Sequence, residues 1–485
     1  MKKLITILFF LTIGNTLAQN FLTDALYNDY PGFKERSLHN RNVKHNEIEP
    51  LILKLKHNNL FKVKNLGKSL EGRNIYLVSL GNGPVNVLAW SQMHGDEPTA
   101  TKALFDIFNF FTADDNFNGL KKELLSRLTL HFIPMLNPDG AEVFKRRNAL
   151  SIDLNRDAER VEFPEAKILK AVRDSLKPKF GFNLHDQNPR YSVGKSHRTA
   201  TISFLAPAFN YNNTIDSTRE NTMKVIADLF KQLSEIIPGH MARYNDDFEP
   251  RAFGDNFVKW GTSSILIESG GWKSDEQKEF IRKLNFIALI TAFNSIASGN
   301  YENYDVEDYK KIPENDKLIF NLLLRNLKFK YNDQFFKLDI GINREEKYSP
   351  ADNKIFYEGK IDDIGDLSIF YGNEEIDCTN MEVVPGKIYD HVFNGLDELK
   401  KTDLTGLLSE GFTSVKVKDA GKELKFTGLP VNIITADKNI NHNLKVDNNA
   451  NFIIKKNGKT IFAVVNGFLF NLKTMTNNVL NALVY

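Results

Sequence analysis

The chain has 485 residues, more than one ordinary domain holds, and its length predicts two or three. Its 42% hydrophobic and 26% charged residues suit a soluble globular protein with a sizeable core. The formal net charge is only +2, and Lys2 and Lys3 supply two of the positive charges, so nothing in the charge balance calls for nucleic acid or an anionic membrane surface as partner. Cys378 is the sole cysteine, so no intrachain disulfide can form.

At the N-terminus, Lys2 and Lys3 precede an apolar run over 4–13, and Thr16-Leu17-Ala18 supplies small residues for cleavage. Residues 1–18 are predicted to be an export signal peptide, with the mature chain starting near Gln19. The run is too short to span a bilayer, and no later stretch reads as a transmembrane segment. Export without disulfides fits the bacterial periplasm or the extracellular space. Residues 19–49 are polar and irregular and read as an N-terminal arm packed on the domain that begins near residue 50.

From 50 to 298, β-rich apolar runs (75–80, 85–90, 128–135, 180–184, 201–205, 264–267) alternate with helical stretches (99–111, 165–176, 220–236, 275–297). That alternation predicts an α/β domain whose parallel or mixed sheet is covered by helices on both faces. Residues 299–316, rich in Tyr, Asn, Asp and Glu, read as a linker. Beyond them, 317–485 breaks into short strand-like runs between Asn, Asp and Gly clusters, which predicts a smaller all-β, sandwich-like accessory domain.

The chemistry gathers at strand ends. His94-Gly95-Asp96-Glu97 follows the run 85–90, and two donors three residues apart can meet one metal ion from a loop and the first helical turn. Loops at the carboxyl ends of sheet strands are where open α/β sheets build their sites. The plainer reading is a helix-capping Asp96 beside a surface His94. His185 ends the run 180–184 and would complete a set of two His and one Glu, which leaves zinc an open position. Asp186 beside it is a candidate to orient a site group. Glu268 ends the run 264–267, where a carboxylate is costly to bury without a partner or a role. As a site residue it would be the general base and then the acid; otherwise it is an ion-paired strand end. Between these lie Asn137-Pro138-Asp139-Gly140, Arg146-Arg147-Asn148-Ala149 and Asp153-Leu154-Asn155-Arg156-Asp157, whose guanidinium groups suit an oxyanion or a substrate carboxylate.

In that chain order, HGDE, NPDG, RRNA, DLNRD, NLHDQ and LIESGG resemble the zinc carboxypeptidases, peptidase family M14, across roughly 50–298. Gly67–Gly81 also resembles the family's entry strands. The resemblance implies a central mixed sheet of about eight strands and one zinc ion per chain at His94, Glu97 and His185. It further implies Glu268 as general base toward a zinc-activated water, and Arg146 rather than its neighbour Arg147 polarising the scissile carbonyl. Asn155 and Arg156 would hold the terminal carboxylate of a peptide or peptidoglycan peptide, and Tyr244 would cap the substrate. Arg251 could reach an acidic substrate group or pair with Asp246, Asp247 or Asp255. The C-terminal part more weakly resembles the amidohydrolase β-sandwich, with only His391 at the position of that family's metal-binding pair and no room for a barrel. Two other functions remain consistent with the sequence: an N-acyl amino acid deacylase of the aspartoacylase-like group, and a non-catalytic envelope binding protein.

Overall fold

A computed structural model describes residues 22–421, 423–435, 438, 440–474 and 482–485. The expected signal peptide lies outside the described residues. The chain divides into two units, Met1–Lys317 and Leu318–Tyr485.

The first unit is built on eight strands: β1 (Lys62–Lys68), β2 (Asn74–Gly81), β3 (Val85–Ser91), β4 (Leu128–Ile133), β5 (Phe180–Asp186), β7 (Ile202–Leu205), β8 (Met241–Arg243) and β9 (Ser263–Ser269). They form one mixed sheet in the order β1-β2-β4-β3-β5-β9-β7-β8, matching the eight-strand expectation. The central strands β4, β3, β5 and β9 run parallel. Their nearly unbroken apolar runs are buried on both faces, as a helix-covered parallel sheet requires. One face packs on the helices Thr99–Thr112, Ser217–Leu233 and Glu279–Ser298. The other packs on Pro164–Leu176 and Phe253–Lys259, with Trp90, Leu169 and Phe257 between the layers.

The arm over 22–49 buries Leu26, Tyr30, Phe33 and Val43 in the main core. Arg282, fully buried in its helix, donates to both carboxylate oxygens of Asp106 at 2.6 and 2.7 Å and to the carbonyl of Leu38 at 2.7 Å, which ties the arm to the body. The segment 299–316, read as a linker from its composition, is instead built into this unit. Tyr301, Tyr309 and Ile312 join the core, and β10 (Asn315–Asp316) pairs with β6 (Ser192–Val193). Tyrosine counts as polar in a composition reading, yet it buries a large apolar ring. Among the described residues, the 20-residue helix Glu279–Ser298 has the length and apolarity of a membrane-crossing segment, although no stretch beyond the N-terminus was expected to qualify. Most of it is buried inside the unit.

The second unit is strand-rich. Its main sheet holds eight strands, among them the long antiparallel set Ile319–Tyr331, Gln334–Ser349 and Lys354–Gly365. A smaller sheet pairs Lys387–Phe393 with Phe412–Val417 in parallel, and such a crossover needs a connection over the sheet face. The short helices Leu396–Leu399 and Leu404–Glu410 supply it; the sequence reading of an all-β unit did not separate them from strands. Asp403 caps the second by accepting from the Gly406 N–H, and Leu404, Leu407 and Leu408 turn inward. His391 is exposed, 3.6 Å from Glu398.

Candidate metal centre

The parallel strands β3, β5 and β9 end together, and the chemistry sits at their carboxyl ends. After β3 the chain turns through His94 and Gly95 before the helix at Thr99. A Cβ on Gly95 would lie 2.0 Å from the carbonyl carbon of Gly140, so only glycine lets this loop pack on the Asn137–Gly140 turn. Asn137, fully buried, accepts from the Gly140 N–H at 2.9 Å and donates to the Arg146 carbonyl at 3.3 Å. The NPDG turn thereby supports both the ligand loop and the backbone that presents Arg146.

Donor atoms of His94, Glu97 and His185, all three buried, lie within 4.8 Å of one another. The carboxylate of Glu97 divides between the two rings, with Oε1 at 2.8 Å from His94 Nδ1 and Oε2 at 2.8 Å from His185 Nδ1. The two Nδ1 atoms are 3.1 Å apart. Two nitrogens bound tetrahedrally to zinc at about 2.0–2.1 Å would stand about 3.3 Å apart, so the donor set fits that ion within a few tenths of an ångström. His94 Nε2 is 3.1 Å from Asp153 Oδ1, and a proton held there leaves the Nδ1 lone pair facing the cluster. Asp153 is the residue sequence reasoning missed; its signal was its place as the first residue of DLNRD. Asp96 does not cap the following helix, whose N-cap is Pro98. Asp186 does not orient His185. Its carboxylate accepts from Thr99 at 2.6 Å and Lys278 at 3.1 Å, while its backbone N–H reaches Glu97 Oε2 at 3.2 Å.

Glu268 is the register partner of His185 on the adjacent strand, which puts both side chains on one face. Arg146 points into the cluster, 3.2 Å from Glu97 Oε1 and 3.0 Å from Asp153 Oδ2, whereas Arg147 turns to the Ser151 carbonyl. Asn155 accepts from the Phe253 N–H at 2.9 Å. Arg156 donates to the Asn155 carbonyl at 2.8 Å and stands 3.2 Å from Glu249, which also takes both arms of Arg251. Arg251 therefore pairs with Glu249, not with Asp246, Asp247 or Asp255. Tyr244 packs edge-on against Tyr191 at 5.4 Å. Its hydroxyl is pushed up by burial and by the nearby charge of Glu268, so it borders the same space.

The electrostatics follow from crowding ionisable groups in a poorly solvated place. Burial opposes ionisation of Glu97, but His94 and His185 outweigh it and hold the carboxyl well below its usual range. Burial likewise opposes a charged His94, and Glu97 and Asp153 overcome it, lifting the imidazole to about 9. His185 is lowered, because burial outweighs the pull of Glu97 there. Glu268 is raised well above the ordinary carboxyl value by burial and then by Glu97. Two carboxyl groups pushed in opposite directions suit one for holding a cation and the other for carrying a proton.

Residues 52–185 match the family model described as zinc carboxypeptidase. Over 109 residues the chain is 30% identical to Carboxypeptidase SOL1 of Arabidopsis thaliana, covering 21% of this chain and 22% of that one. It is 22% identical to human Carboxypeptidase D over 160 residues, covering 30% and 12%. The match to SOL1 thus spans about a fifth of that relative's length. A metallo-carboxypeptidase structure from Burkholderia cenocepacia aligns over 53% of this chain and 70% of that one, with 18% identity and a TM-score of 0.42. The matched segment carries His94, Glu97, Arg146, Asn155, Arg156 and His185, and it is this segment of the first unit that is similar to the zinc carboxypeptidases.

Proposed function

We propose that the protein is a zinc-dependent metallocarboxypeptidase that removes C-terminal residues from peptides or peptidoglycan peptides. The observation that carries this reading is the convergence of His94, Glu97 and His185 with Glu268 beside them in register. Zinc held by those three residues would supply Lewis-acid polarisation of a carbonyl and would acidify water. Glu268 takes up a proton at its carboxylate and returns it to the leaving amine nitrogen. The Arg146 guanidinium, one face toward the cluster, offers hydrogen bonds to the oxygen on which negative charge develops. Asn155 and Arg156 receive the terminal carboxylate, for which Arg156 exchanges its contact with Glu249. Tyr244 closes over the substrate beside Glu268.

The test is metal analysis of the purified chain with a panel of free-acid, amidated and N-acylated substrates. Free-acid peptides are expected to be cleaved at least roughly tenfold faster than their amides, about 1.4 kcal/mol in transition-state stabilisation, and Arg156→Ala should erase most of that difference. Equal cleavage of acids and amides would rule out the exopeptidase reading. Cleavage of N-acyl amino acids alone would identify a deacylase.

A further inference from the structure

The sheet face that packs on the helix Pro164–Leu176 is left partly uncovered toward its β1 edge. The helix is held at two points. Ile168 lies over Gly67 of β1, where a Cβ would come 3.2 Å from Ile168 Cδ1. At the other end, Asn86 of β3 donates to the Leu176 carbonyl at 3.1 Å. Between those points the helix presents Ala171 and Ser175, one turn apart and both small, so it does not fill the space above the strands. What remains is a cavity of about 740 Å³, inside the range of about 300–1,000 Å³ typical of small-molecule sites. None of the residues that gather at the metal centre lines it.

Its walls are aliphatic. Leu66 and Leu77 line it from the sheet and Ile168, Val172 and Leu176 from the helix, with no Phe, Tyr or Trp on which a ring could stack. The polar groups in its floor answer one another. Ser79 Oγ is 2.8 Å from His131 Nδ1, and His131 Nε2 is 3.2 Å from Asn86 Oδ1. Burial lowers His131 to about 4, so this floor carries no charge at neutral pH. Charge is confined to the rim and has one sign. Lys62 and Lys64 alternate along the edge strand β1, in register with Ser79 and Leu77, so both line the cavity side. Both are exposed, and neither pairs with a carboxylate among the described residues. Lys167 of the helix also lines the cavity and stands 3.5 Å from Glu162, which does not. No Asp or Glu is among the lining residues.

A lysine pair at the mouth of an aliphatic chamber, without aromatic rings or carboxylates, is complementary to an anion with a flexible hydrocarbon tail. We infer that this cavity binds one long-chain fatty carboxylate, its tail between Leu77 and Val172 and its head at Lys62 and Lys64, at a site separate from hydrolysis. The experiment is calorimetric titration of the purified full chain with decanoate, laurate and myristate, each below its micelle-forming concentration. One equivalent should bind, with affinity rising about tenfold for every two methylenes, the gain expected from burying them. Reversing both rim charges (K62E with K64E) should weaken laurate binding at least about tenfold, whereas K62R with K64R should retain it. A171F, at an exposed position, should fill the chamber and abolish binding; S175L does the same from the next turn should A171F lower the melting temperature. No saturable binding, or an affinity indifferent to chain length or to these substitutions, would overturn the site. Binding to phosphatidylglycerol vesicles without binding of the soluble carboxylates would make the patch a membrane contact and overturn it too. A dimer in ultracentrifugation that A171F splits would assign this face to a second copy of the chain instead.

Discussion

Glu268 is the side chain on which the proposed chemistry turns, and its neighbours define what a substitution there can do. Glu268→Gln keeps shape and polarity while removing the proton carrier. Zinc content should be unchanged and peptide hydrolysis should fall by about 10²-fold or more. Loss of zinc in that variant would make Glu268 a ligand, and normal turnover would put the proton on another group. Asp153 acts through His94, 3.1 Å away, so Asp153→Ala should weaken zinc affinity about 10–100-fold, as removal of a ligand's supporting carboxylate does. Unchanged affinity in a competitive chelator titration would count against that role. The motifs announced which residue types converge, because metal chemistry constrains types and order. They could not announce Asp153 as the partner of His94 or Glu249 as the partner of Arg156, since a carboxylate in a polar loop has many possible partners and only the fold selects one.

Strands decide which of those residues meet. The apolar runs that became β3, β5 and β9 were readable because fully buried parallel strands leave a continuous apolar signature. The short pairing of β6 with β10 was not readable, since two-residue strands carry no period. Strand β4 carries a consequence for stability. His131 there contacts Ser79 of β2 at 2.8 Å and Asn86 of β3 at 3.2 Å, and burial lowers its pKa to about 4 from 6.5. Between those values the unfolded chain binds a proton that the native chain refuses. Stability from this group is therefore intact above pH 6.5 and is lost as pH falls toward 4, by about 3 kcal/mol in all. His131→Gln cannot titrate, so its melting temperature should drop less than the parent's between pH 7 and pH 4. Parallel decreases in the two proteins would assign the acid sensitivity elsewhere.

At the scale of the whole molecule, each unit carries its own core, from Leu26 to Ile312 in the first and from Phe320 to Ala482 in the second. Separate cores predict two calorimetric transitions. The proposed zinc would bind only the native form of the first unit, so chelation should lower one transition and leave the other in place; with zinc at about 1,000 times its dissociation constant the linkage is worth about 4 kcal/mol. A single transition that shifts as one would contradict independent cores. The second unit's His391 should be silent in this assay: among the described residues the three-donor group is confined to the first unit, and His391→Ala should leave zinc content unchanged. The pairing of His185 with Glu268 across two strands also has a consequence in time. A ribosome adding about 5–20 residues per second releases Glu268 83 residues after His185, the last of the three donors in the chain, roughly four to seventeen seconds later. During that interval the emerging polypeptide carries all three donors but not Glu268, so the proposed hydrolysis has to wait for the last strand of the site.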